Sequence, residues 1–131
     1  FMLTGIFNNF DGKEQSGLVM LNEDGSVDPS FKASARNSDD RYSYAKQLSN
    51  GMVLVSGYFK SYGGVHRGNL MLLDHTGALA SGYNTTGDLQ GTVTGVLETK
   101  NFAGQIQLLI TGSFGKFDEQ PVGNITRLLL K

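Results

Sequence analysis

Asn50-Gly51-Met52-Val53-Leu54-Val55-Ser56-Gly57-Tyr58-Phe59 is the stretch on which the fold turns. Asn-Gly between two apolar runs is a strong hairpin signal, because both residues tolerate the positive φ of a type I′ turn. Residues 42–49 read as the strand before it, and Met52 to Phe59 as the strand after it. A neighbouring strand begins at Asn69 and continues Leu70-Met71-Leu72-Leu73. A second turn at residues 74–77 leads to a short outer strand ending near Tyr83. The two apolar runs are continuous, so their strands need apolar neighbours on both faces of the sheet. A sandwich with one wet face gives alternation instead. Stacked sheets of about four antiparallel strands meet the requirement.

The stretch recurs. Gly5-x-Phe7, Gly57-x-Phe59 and Gly112-x-Phe114 stand 52 and then 55 residues apart. Gly12 falls on Gly64, Leu18 on Leu70, Leu21 on Leu73, Gly25 on Gly77 and Phe31 on Tyr83. Gly123, Asn124, Ile125 and Leu128 rejoin over Gly68, Asn69, Leu70 and Leu73. Such a period in a Gly-rich, strand-like sequence points to repeated β units. The expected fold is all-β: one domain over residues 1–131, with repeats at approximately 1–32, 42–84 and 93–131. It is a partial β-propeller of about two and a half blades, each a four-stranded antiparallel sheet. A β-trefoil is the alternative, since three repeats in this length suit it. The glycines at 5, 57 and 112 follow Thr or Ser inside a strand pattern, which marks a bulge or the close approach of the next blade.

Composition narrows the function classes. The 18 Gly among 131 residues are nearly twice the average usage of about 7%. With only two Pro, they read as turns. A net charge of −1 and the lack of a basic tract leave no electrostatic basis for nucleic acid, and no apolar run is long enough to insert in a membrane. Cysteine is absent, which removes disulfides, thiolate nucleophiles and Cys-ligated metals. The opening Phe1 reads as that of a mature form or a fragment.

Few residues carry candidate chemistry. Asn22-x-Asp24-Gly25-x-x-Asp28 has a superficial likeness to a calcium loop but lacks the alternating ligands and the distal Glu, so it reads as a turn. His66 and His75, the only histidines, fall near opposite ends of one strand, roughly 17–20 Å apart, too far to share a metal. No Ser lies in a nucleophile-elbow context, and no carboxylate is embedded in an apolar run. No catalytic residue, metal or cofactor is expected.

The string Gly-x-Phe, an aromatic and Gly, then Leu-x-x-Leu-Asn-x-Asp-Gly-Ser-x-Asp-x-x-Phe, fullest from Gly5 to Phe31, resembles the bacterial delta-sixty repeat. The central copy departs from it at Asp74-His75-Thr76-Gly77-Ala78 and Tyr83. The resemblance implies a β-propeller-like domain of unassigned function in an exported bacterial protein, at the cell surface or in the periplasm. It implies no catalytic residues.

Topology supplies a place to look. In a meander, segments 32–41, 60–68, 84–92 and 115–123 share one end of the sheets and read as long polar loops, with Tyr62 and Phe117 at equivalent positions. Loops held on a rigid scaffold are where binding residues concentrate. Arg41, Tyr42, Tyr62, His66 and Arg67 are the candidate recognition residues, for a glycan or protein ligand. The competing reading is a structural spacer without a ligand, its aromatics turned into the core. Stacked sheets also leave apolar end faces of about 500 Å² each, whose burial is worth about 12 kcal/mol. Flanking repeats or self-association are therefore expected to cover them. Light scattering after size exclusion should find a discrete oligomer; a monomer of 14.1 kDa would contradict open end faces.

Overall fold

The computed structural model describes residues 1–80 and 88–130. The first repeat contains β1 (Met2–Thr4), β2 (Asn9–Phe10), β3 (Lys13–Glu14) and β4 (Leu18–Met20). The central repeat contains β5 (Arg41–Gln47), β6 (Val53–Tyr58), β7 (Ser61–Tyr62), β8 (Val65–His66) and β9 (Leu70–Leu73). The third contains β10 (Leu89–Lys100), β11 (Ile106–Phe117), β12 (Gln120–Pro121) and β13 (Ile125–Leu129). All pairing is antiparallel: β1 with β4, β5-β6-β9, and β10-β11-β13 with β12 folded onto the end of β11. Residues 89–92, expected in a loop, are the start of β10.

The continuous apolar runs do face two ways. Val53, Val55, Met71 and Leu73 pack into one core with Leu18, Met20 and Phe31 of the first repeat. Leu54, Leu70 and Leu72 pack into a second core with Val93, Val96, Leu108 and Ile110 of the third. Successive side chains of a strand point to opposite faces, so a sheet between two sheets must be apolar at consecutive positions. The architecture is a stack of β-sheets, as in a partial propeller, and the trefoil alternative falls. One detail differs from expectation. The fourth strand of a blade is a single bridge, Leu21↔Val27 in the first copy and Leu73↔Leu79 in the second, among the described residues. Its expected end at Tyr83 lies outside them.

Turn chemistry also departs from the expected pattern. At Asn50-Gly51 only Gly51 has positive φ (87°). The Gly51 N–H donates to Leu48 O at 3.0 Å and the Leu48 N–H to Met52 O at 2.7 Å, giving a three-residue loop closed by a left-handed glycine rather than a type I′ turn. The same turn forms at residues 22–25, where Asp24 Oδ1 accepts from the Ser26 N–H (2.9 Å) and hydroxyl (2.6 Å). Those bonds hold the Asp24 carboxyl below its usual range, and the Ser30 hydroxyl and N–H do the same for Asp28. The supposed calcium loop is a turn whose carboxylates are occupied by its own chain.

Type I′ turns appear inside two of the expected long loops, 60–68 and 115–123, and at 11–12 in the first copy. Asp11-Gly12 (φ 50° and 72°), Gly63-Gly64 (57° and 80°) and Asp118-Glu119 (52° and 61°) close three short ribbons, β2–β3, β7–β8 and β11–β12. Each blade thus carries a small hairpin at one end in place of a floppy loop.

Gly57 and Gly112 face a bulge in the adjacent strand of their own sheet, not the next blade. The register slips between Tyr42 and Tyr44 and between Val93 and Gly95. A Cβ on Gly57 would sit 1.9 Å from Arg41 O, and one on Gly112 2.0 Å from Thr92 O. On the other side Asn69, in left-handed conformation (φ 66°), accepts from the Phe59 N–H through Oδ1 at 3.0 Å. Its amide nitrogen then donates to Leu89 O of the third repeat at 2.8 Å. Gly57→Ala or Gly112→Ala should cost more than about 3 kcal/mol in chemical denaturation, whereas Gly5→Ala, which meets only the Phe7 ring, should cost less than about 1 kcal/mol.

Candidate functional site

The blades meet along two seams, and the second opens into a cleft at the ribbon end. Its volume is about 350 Å³, with Phe59 and Leu89 among the apolar residues lining it and Tyr58, Lys60, His66, Asp88 and Gln90 among the exposed ones. Tyr58 reaches solvent because it is the first residue of β6 past the two-sided core: Val53 to Gly57 are buried, and its ring is 62% exposed. His66 ends the β7–β8 ribbon, while Asp88 immediately precedes β10.

His66 and Asp88 form an ion pair when the imidazole is protonated, with Nε2 and Oδ1 2.7 Å apart. Backbone contacts hold the carboxylate in place. The Leu89 N–H donates to Gly68 O (2.9 Å) and the Asp118 N–H to Asp88 O (3.1 Å). Gly68 is what makes room, since a Cβ there would lie 2.2 Å from Asp88 Oδ1. Both side chains stay wet, 63% and 48% exposed, so the attraction is strongly screened. Among the described residues no group of three or more His, Cys, Asp or Glu could hold a metal ion.

The five expected recognition residues divide. His66 lines the cleft, and Arg67 stands beside it, its guanidinium donating to His66 O at 2.7 Å. The Arg67 Nε is buried without a hydrogen-bond partner among the described residues. Arg41 is exposed and lies opposite Tyr58 in the β5–β6 register. Tyr42 and Tyr62 are not on a recognition face. Each is 3% exposed, within the core between the first two repeats. Tyr42 stands edge-on to Phe59 with ring centroids 5.5 Å apart. The Tyr62 hydroxyl accepts from the Ser34 N–H (2.9 Å) and donates to Gly77 O, pinning the first linker to the central blade. Burial pushes both phenols above their ordinary pKa. Tyr62 turns inward because the loop expected to carry it is the β7–β8 ribbon, and Tyr42 because its position in β5 faces the core.

Tyr58, Lys60, Asp88 and Gln90 were missed. The repeat held a signal for Tyr58: its counterpart Ile6 is also exposed, at 66%, and Ser113 is exposed too. Nothing in the sequence pairs Asp88 with His66, 22 residues away, because the contact is made only when two blades stack.

The family described as a domain of unknown function (DUF5122), beta-propeller, matches residues 2–31 and 48–79. The repeat is of the β-propeller kind. These two matches take in the first repeat and most of the central one. No curated protein and no solved structure matches the chain.

The cleft is therefore polar decoration on an apolar seam. Asp88→Ala should lower stability by less than about 1 kcal/mol in denaturant titration, because an exposed pair adds little to the fold; a larger loss would make Asp88 a structural clamp.

Proposed function

We propose that this chain is a non-catalytic binding module of β-propeller type, recognising a glycan or protein ligand at the cleft between its central and third blades. The observation that carries the reading is the exposed Tyr58 beside the His66–Asp88 pair, over the apolar floor of Phe59 and Leu89. An aromatic face with a few convergent donors and acceptors is the usual make-up of such a site. Lys60, Gln90 and Asp88 supply two donors and two acceptor groups within one cleft. An extracytoplasmic setting in a bacterium rests on the repeat resemblance alone.

The competing reading is a spacer that only positions other domains. It is favoured by Tyr42, Tyr62, Asn69 and the Asp88 backbone, all of which hold blades together. In either reading the outer face of the third sheet, where Leu97, Ile125 and Leu129 are exposed, is to be covered by a like sheet from a second copy or an adjoining repeat.

A glycan array followed by titration of each hit separates the two. Binding should be reproducible and fall by at least about tenfold in Tyr58→Ala or His66→Ala, with the unfolding midpoint unchanged. Silence on the array and on a panel of surface-protein extracts would favour the spacer. Binding that survives both substitutions would move the site away from this cleft.

A further inference from the structure

The floor of the cleft between the central and third blades is repeated along the chain, and its rim is not. Phe59 has Phe7 and Phe114 as counterparts. Tyr58, Lys60 and His66 have Ile6, Asn8 and Glu14 in the first copy and Ser113, Gly115 and Pro121 in the third. The first seam forms with other side chains in these places, so stacking does not require them. There the linker cation is used inside the fold: Arg36 donates to Asn8 Oδ1 at 2.9 Å and to Asp40 O at 2.7 Å. At the second seam the linker supplies Asp88 instead, and the cations stand on the central blade. Lys60 lines the cleft. Arg67 lies across the ribbon from it, its N–H donating to Lys60 O at 2.9 Å. Arg41 is opposite Tyr58, on the same face of the sheet. The two guanidinium groups donate to backbone carbonyls, Arg41 to Ser38 O and Asp40 O and Arg67 to His66 O. The buried Asp40 turns its carboxylate to the Asn37 N–H at 3.2 Å. Among the described residues none of Arg41, Lys60 and Arg67 is in an ion pair, and the chain's other residues include no Asp or Glu.

The opposite wall is acidic. It carries Asp88 and the exposed ribbon tip Asp118-Glu119, whose Asp118 N–H donates to Asp88 O at 3.1 Å. We propose that the ligand of this cleft is an acidic glycan, a sugar ring bearing a carboxylate as in a uronic acid. The inference rests on the binding-module reading and names its ligand class. The ring lies on the exposed face of Tyr58, with its carboxylate among Lys60, Arg41 and Arg67. Its hydroxyls donate to Asp88 and Gln90. A guanidinium fork matches a carboxylate in plane and spacing, and Lys60 adds a point charge. The volume of about 350 Å³ is near the lower end of ligand pockets, roughly 300–1,000 Å³, and suits a sugar unit or two. An acidic peptide fits less well. A run of carboxylates crossing the cleft would meet Asp88, Asp118 and Glu119, whereas a sugar brings hydroxyl donors to that wall.

The test is an array of uronic-acid oligosaccharides set beside the same oligosaccharides with their carboxyl groups reduced to alcohols. Binding is expected to the uronates alone. In titrations with the strongest uronate, Lys60→Gln should weaken binding by at least about tenfold with the unfolding midpoint in place, and Lys60→Arg should restore most of it. Raising the salt from about 50 to about 500 mM should also weaken it. Equal binding of the acid and reduced forms, lost in Tyr58→Ala but indifferent to Lys60→Gln, would overturn the acidic ligand and leave the binding module standing. Tighter binding of an oligoglutamate peptide would overturn the glycan in the same way. Silence with both sugar forms and with the peptide would overturn the proposal and the binding module together.

Discussion

A strand whose consecutive side chains enter two different cores is the constraint from which the rest of this structure follows. β6 and β9 send Val53, Val55, Met71 and Leu73 one way and Leu54, Leu70 and Leu72 the other. Neither core exists unless a neighbouring sheet is in place, so the central blade cannot be stable on its own. The left-handed Asn69 and the bulge opposite Gly57 act in service of that stacking. They end the strand pairing at the point where the chain must reach its ribbon and then the next blade. Asn69 meets both demands with one amide, its oxygen on Phe59 N–H and its nitrogen on Leu89 O.

Much of this architecture was legible in the sequence because it depends on periodicity. The spacing of Gly5, Gly57 and Gly112 and the unbroken runs at Val53 and Leu70 report two-sided burial directly. What failed was the reading of local turn chemistry. Asn50-Gly51 suits a type I′ hairpin as a dipeptide, but the Leu48–Met52 pairing sets a three-residue loop, and only one positive φ is needed. The reverse error occurred at residues 60–68. The segment read as a long polar loop, whereas Gly63 and Gly64 close a ribbon that buries Tyr62.

The site was half legible for the same reason. His66 and Arg67 lie on a ribbon that the repeat register locates, and Arg41 marks the start of a strand. Tyr42 and Tyr62 were misplaced because an aromatic near a loop reads the same whether its ring points out or in. Asp88 was invisible, since its proximity to His66 is created by the seam and by the missing side chain of Gly68. Contacts made only on stacking leave no local trace.

The two seams are fastened by different chemistry. The first has the buried Tyr62 hydroxyl on Ser34 and Gly77, a phenol that is neutral across the acid range. The second is laced by charged groups: Lys46 Nζ donates to Val96 O at 2.8 Å, and Glu98 Oε1 accepts from the Ser49 N–H at 2.8 Å. That bond and the Ser49 hydroxyl depress the Glu98 pKa, so its contribution is present above the unfolded value of 4.5 and is lost as pH falls through the lower folded one. Acidification therefore removes the Glu98 carboxylate's hold on Ser49 at the second junction, while the Tyr62 phenol at the first has no charge to lose.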